Sequence, residues 1–137
     1  MKAKATKAKV EREAKADVDI GVMFLDCKCD QGTLTSYETK FDLDAAITES
    51  GFKLVSSSLN VFPGDGSGFT YLACIGESHV AIHTWPERGK VDVNVFYCNF
   101  FGDNSKKAKK LFKGLREIFS PQREENLETR LWEEKGR

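Results

Sequence analysis

At 137 residues, with 40% apolar and 31% charged side chains, the chain has the make-up of one ordinary globular domain with a real core. Lys+Arg and Asp+Glu both number 21, and this zero formal charge argues against nucleic acid or an anionic membrane as a main partner. No apolar run approaches the ~20 residues that span a bilayer. Met1–Ala16, rich in Lys and Ala but interrupted by Glu11 and Glu13, has the pattern of neither a secretory signal nor a transit peptide.

The expected location is therefore cytoplasmic, where Cys27, Cys29, Cys74 and Cys98 would be reduced thiols, Cys74 reading as a buried small apolar residue. Cys27 and Cys29 have no second cysteine pair of zinc-site spacing, so no metal is expected. Residues 1–16 read as a disordered, solvated extension ahead of one domain over 17–137.

Val18–Leu25 begins by alternating and then turns fully apolar, which predicts a strand. A polar loop over Asp26–Ser36 follows. Phe41, Ala45, Ala46 and Ile47 have helical spacing within Phe41–Ser50, and Gly51 supplies the stop. Phe52–Phe62 predicts a second strand. Pro63-Gly64-Asp65-Gly66-Ser67-Gly68 is a loop feeding a third strand, Phe69–Ile75.

From His79 to His83 the chain continues extended, with His79, Ala81 and His83 facing one way and Val80 and Ile82 the other. Pro86–Lys90 is a turn, and Val91–Tyr97 a cleanly alternating strand that ends at Cys98. Asp103 or Asn104 can cap a helix whose apolar positions are Ala108, Leu111, Phe112, Leu115, Ile118 and Phe119. The tail Glu124–Glu134 is a short amphipathic segment carrying Leu127, Leu131 and Trp132. This order of elements predicts an α+β, two-layer sandwich: an antiparallel sheet with helices packed on one face.

Both histidines fall in one stretch, Glu77-Ser78-His79-Val80-Ala81-Ile82-His83-Thr84-Trp85-Pro86-Glu87. Three chemistries compete there. Ser/His hydrolysis lacks the Gly-x-Ser-x-Gly elbow, and a strand stands where the elbow's helix belongs. A metal site built on His79, His83 and Cys98 lacks a carboxylate at fitting spacing. The third is chemistry on the backbone, in which the Ser78 hydroxyl attacks the carbonyl of Glu77 and turns the amide into an ester. Elimination then leaves a dehydroalanine that hydrolyses to a pyruvoyl group. Amide resonance opposes the first step, so the site needs a base and hydrogen-bonding help near the serine. Gly76, Thr70 and the two histidines are parts for that work.

Glu77-Ser78-His79-x-x-x-His83-Thr84-Trp85-Pro86-Glu87, with Cys98 closing the next strand, resembles the bacterial and archaeal S-adenosylmethionine decarboxylases. That family consists of self-processing, pyruvoyl-dependent enzymes of polyamine biosynthesis. The resemblance implies cleavage between Glu77 and Ser78, giving a β chain that ends at 77 and an α chain that begins with a pyruvoyl group made from Ser78. It implies catalytic roles for Ser78, His83 and Cys98: His83 assisting processing together with Thr70, and Cys98 returning a proton to the substrate carbon. Decarboxylation would run through a Schiff base between the pyruvoyl carbonyl and the substrate amine. Glu87 would bind the substrate ribose, with Phe62 or Phe69 and Trp85 as aromatic walls. The partners implied are a small-molecule substrate and a second copy of the chain, in a homodimer with sites shared at the interface.

Three departures bear on the substrate. Arg88-Gly89-Lys90-Val91 stands where the family commonly has Gly-Tyr-Ala, Gly64 lies near its adenine-stacking phenylalanine, and Asn99 follows Cys98 in place of the usual glycine. They leave open the same chemistry on ornithine or arginine, or a non-processing regulatory homologue.

Overall fold

The computed structural model describes residues 20–28, 38–76, 78–99, 102–120 and 123–132. The expected extension 1–16 and most of the expected loop after the first strand lie outside them. Strands β1 (Ile20–Lys28), β2 (Leu54–Val61), β3 (Phe69–Ile75), β4 (Ser78–Trp85), β5 (Lys90–Cys98) and β6 (Arg123–Trp132) form one sheet. Its order is β2-β3-β4-β5-β1-β6, and every neighbouring pair is antiparallel. Helices α1 (Thr39–Glu49) and α2 (Ser105–Phe119) pack on each other and on one face of the sheet. The architecture is the α+β sandwich expected from the sequence.

Alternation along the strands creates the two layers. Phe69, Tyr71, Ala73 and Ile75 of β3, Val80 and Ile82 of β4, and Val91, Val93, Val95 and Tyr97 of β5 are all buried beneath the helices. From α2, Ala108, Leu111, Phe112, Leu115 and Phe119 complete the core as one helical stripe, with Ile118 partly buried beside them. A lysine-rich face looks away from it. Among the described residues no helix is long and apolar enough to cross a membrane.

Helix α1 lies differently from the expectation. Thr39, Leu43 and Ile47 are its buried positions, whereas Phe41 is 72% exposed. A polar network explains the choice. The Tyr71 hydroxyl donates to Asp44 Oδ1 at 2.6 Å, and Lys40 Nζ holds the other carboxylate oxygen at 2.8 Å. Satisfying a buried tyrosine hydroxyl sets the helix's rotation, and Phe41 then falls on the outside.

Two boundaries also shift. β1 runs on through Asp26 to Lys28, where a loop was expected, paired with β5 on one side and β6 on the other. The tail is edge strand β6, with Leu127 opposite Leu25 and Trp132 opposite Ile20. Backbone pairing to β1, rather than an apolar stripe, determines its conformation.

Candidate active site

The sheet face away from the helices carries Thr70, His79, His83 and Cys98, whereas Ser78 falls on the helix side of the alternation. Three cross-strand rows run over β3, β4 and the strand beside it. Register places Thr70, His83 and Asp92 in one row, Leu72, Ala81 and Asn94 in the next, and Cys74, His79 and Phe96 in the third. Cys98 lies one step beyond Phe96 on the same side, at the end of β5. Cys74, expected to be a buried apolar residue, is exposed on this face.

Thr70 Oγ1 and His83 Nδ1 are 3.0 Å apart, with the donor set by the imidazole tautomer. His83 also lies against Trp85, ring centroids 5.8 Å apart and tilted by 46°. Together these two contacts orient the imidazole. At the other end of β4, the His79 ring stacks on Phe96 at 5.1 Å and 7°. His79 is thus an aromatic wall beside Cys98.

Ser78 opens β4 on the opposite side of the alternation from His79, and its Oγ is buried with no hydrogen-bond partner among the described residues. Burying a hydroxyl unpaired costs about 1–3 kcal/mol, so such an atom calls for an explanation. Glu77, the other half of the expected cleavage site, lies outside the described residues.

The residues expected to act together fall into two groups. His83 is five positions from Ser78 along one extended strand, a separation of roughly 17 Å at the usual strand rise. Glu87 is farther still, exposed in the 3-10 turn Pro86–Arg88 that Gly89 closes at φ 63°. Cys98, by contrast, is at Ser78's end, because His79 pairs with Phe96 and the strands run antiparallel.

The two phenylalanines proposed as substrate walls separate as well. Phe69 is fully buried on the helix side and belongs to the core, which removes it as a wall, because successive strand residues alternate faces and Thr70 takes the open one. Phe62 is 46% exposed beside the Pro63–Gly68 loop. That loop closes through Phe62 N–H donating to Gly68 O at 2.9 Å. It also packs on the end of β4, where a Cβ at Gly68 would come within 2.2 Å of the Thr84 carbonyl oxygen. Only glycine permits this approach.

Residues beyond Cys98 form an arrangement that no periodic pattern announces. Asn104 stands at the N-cap position of α2, but its side chain turns back and Nδ2 donates to the Cys98 carbonyl at 2.7 Å. The Asn104 N–H donates to Asn99 Oδ1 at 2.7 Å, and Asn99 Nδ2 reaches Ser105 Oγ at 3.3 Å. Asp103 supplies the helix-start contact instead, accepting from Ser105 N–H at 2.9 Å.

A family model described as S-adenosylmethionine decarboxylase matches residues 26–130. The chain belongs to the S-adenosylmethionine decarboxylase family. A protein of Thermosipho africanus named S-adenosylmethionine decarboxylase proenzyme is 38% identical over 97 residues, 69% of each chain. Two others carry the same name. The one from Fervidobacterium nodosum is 37% identical over 97 residues, 69% of this chain and 66% of that one. The one from Archaeoglobus fulgidus is 49% identical over 55 residues, 40% of this chain and 46% of that one. The match thus spans from under half to about two thirds of these relatives' length. The solved adenosylmethionine decarboxylase of Aquifex aeolicus superposes with a TM-score of 0.74 at 22% identity, covering 88% of this chain and 98% of that one. It shares the fold. Among the described residues no group of His, Cys, Asp and Glu is arranged to hold a metal ion.

Proposed function

We propose that the chain is a proenzyme that cleaves itself between Glu77 and Ser78 and then decarboxylates S-adenosylmethionine for polyamine biosynthesis. The observation that carries this reading is the buried hydroxyl of Ser78 at the head of β4, without a hydrogen-bond partner among the described residues, in a chain of this family. A serine hydroxyl left without a hydrogen bond keeps its lone pairs free to attack the preceding carbonyl. The attack moves the acyl group of Glu77 from nitrogen to oxygen. Removal of the Ser78 α-proton then expels the Glu77 carboxylate, and water releases ammonia to leave the ketone. Once formed, that ketone would supply an electron sink for the pair left when carbon dioxide departs from the substrate. Cys98 supplies the proton that completes the product.

His83, held by Thr70, is the base suited to the elimination, yet within one chain it lies roughly 17 Å from Ser78. A second copy resolves this. Two open faces meeting about a two-fold axis would bring Thr70, His83 and Glu87 of one protomer to Cys98 of the other and to the strand end where Ser78 opens β4. Each site then belongs to both chains, and Phe62 and Trp85 come with the His83 group as aromatic walls for the substrate.

Complementation tests the arrangement. Ser78→Ala and His83→Ala chains should each remain uncut when expressed alone. Co-expressed, the His83→Ala chain should be cleaved to up to half, because its intact serine meets an intact histidine from the other copy. Intact-mass measurement reads this directly, and an uncut mixture would sink the shared site. Carbon dioxide release from S-adenosylmethionine, ornithine and arginine, run side by side on cleaved parent protein, tests the substrate; release only from a basic amino acid would replace it. A parent chain found uncut would make it a non-processing homologue.

A further inference from the structure

Where the proton goes after decarboxylation depends on the position of one thiol, and the chain invests unusual polar structure in the backbone that carries it. Cys98 is the last residue of β5, a place where strands commonly fray. Here the strand end is fastened. The Asn104 side-chain amide donates to the Cys98 carbonyl at 2.7 Å, doing at the sheet's end what a neighbouring strand's N–H does within it. Asn99, which is fully buried, fixes Asn104 in turn by accepting its backbone N–H at 2.7 Å. Its own amide reaches Ser105 Oγ in the first turn of α2.

The chain continues rigidly from there. Ala108 N–H donates to the Asn104 carbonyl at 2.9 Å, and Ala108 is itself core. Tyr97, one residue before the thiol, is buried on the helix side. Burial of two asparagines is costly unless their amides are used. These amides are used, and the residue they grip is the backbone of Cys98.

We propose that Asn104, braced by Asn99, is a positioning residue for the Cys98 thiol, directing its proton to the substrate carbon. This rests on the reading of Cys98 as the proton donor. The direction matters because the electron pair left by carbon dioxide is shared between two carbons, the substrate's and the former Ser78 Cα. A proton on the first gives the decarboxylated amine and restores the ketone. A proton on the second sends the nitrogen the other way: hydrolysis frees the substrate carbon as an aldehyde and leaves the nitrogen on an N-terminal alanine. Water lost on condensation is regained on hydrolysis, so no oxidant or reductant is needed. Each misdirected turnover kills one site. A thiol on a loosened strand end delivers its proton to both carbons.

The partition between the two products is what a merely structural role would not move. Asn104→Asp keeps the shape and the helix-start position but cannot donate to the Cys98 carbonyl. In cleaved protein incubated with S-adenosylmethionine, it should lower kcat about tenfold, as expected for a small misplacement of a reacting group. It should also raise several-fold the fraction of α chains carrying N-terminal alanine, read by mass spectrometry after a fixed number of turnovers. Asn99→Ala should raise it less, since the Asn104 amide remains. An unchanged alanine fraction in both variants would overturn the proposal even if kcat falls. Failure of both to cleave would assign the pair to folding and overturn it equally. Cys98→Ala, run alongside, should give the highest alanine fraction; if it does not, the fault lies in the reading of Cys98 itself.

Discussion

The two faces of the sheet are made by the same strands, yet they differ in almost every property. Under the helices, Val80, Ile82, Val91, Val93 and Val95 are sealed, and the polar groups on that side of these strands include Ser78 at the head of β4, Thr84 bonded to the Phe69 backbone, and the Tyr71 hydroxyl bonded to Asp44. On the other side, the same strands present Thr70, His79, His83, Asp92, Asn94 and Cys98, together with an exposed cysteine and an exposed Leu72. One face closes the domain on itself. The other is largely polar, and on it Asn94 Oδ1 is buried without a partner among the described residues. Period-two alternation lets a short stretch such as Ser78–Trp85 serve both purposes at once.

The sharpest way to break this comparison is to charge the middle of the open face. Ala81 lies midway between the Ser78 and His83 ends of β4. Ala81→Arg should leave unfolding by denaturant within about 1 kcal/mol of the parent, because no core contact is touched. If a second copy covers this face, an unpaired charge there costs about 3–5 kcal/mol, and cleavage should slow by a hundredfold or more. Sedimentation and a cleavage time course check the two halves. A monomeric variant that still cleaves at the parent rate would show that one chain suffices.

The covered face predicts the reverse pattern. Leu115, fully buried on α2, should cost about 2–5 kcal/mol when cut to alanine. Below its melting temperature the variant should nevertheless cleave at close to the parent rate, since Thr70, His79, His83 and Cys98 lie on the other face of the sheet. Urea unfolding and cleavage kinetics on the same sample would test it. A variant that folds stably but cleaves slowly would mean that the helix layer tunes the site.

How much of this was legible in the sequence follows from the same division. The alternation of Val80 and Ile82 against His79, Ala81 and His83 is a pure period-two signal, and the stripe of α2 a pure helical one; both read correctly. Cys74 misled because free cysteine is usually buried, although its place between Ala73 and Ile75 puts it on the open side. The same alternation, applied to Phe69 beside Thr70, would have kept that phenylalanine out of the substrate walls. In α1, the helical spacing of Phe41, Ala45, Ala46 and Ile47 passed over Leu43, and Thr39 and Ser50, both buried, hide the true inner face from a hydrophobicity pattern. Edge strand β6 is polar and depends on pairing with β1, which no local pattern encodes. The Asn99–Asn104 clasp is invisible for a similar reason: side-chain bonds across a loop have no period.

Tyr71 and Asp44 offer the finest test, because they show how polar groups behave on the covered side. Burial works to raise the Asp44 pKa, but hydrogen bonds from Lys40, Tyr71 and Ser57, with the Lys40 charge, outweigh it and hold the carboxyl below its usual value of 3.8. A depressed carboxyl contributes stability above its unfolded pKa and loses it as pH falls through the lower folded value. For Tyr71, burial first and Asp44 second push the hydroxyl upward from 10.0. Its contribution is complete below that pH and declines above it as the unfolded chain ionises. Tyr71→Phe should therefore cost only about 1–2 kcal/mol at neutral pH, as Asp44 is partly open to water. It should flatten the stability profile at both ends, below about pH 4 and above about pH 10. Unfolding measured across pH 3–11 reads both limbs in one series. If the variant kept the parent's steepness at both ends, the tyrosine–aspartate bond would not be what orients α1 on the sheet, and Phe41 would need another reason for facing water.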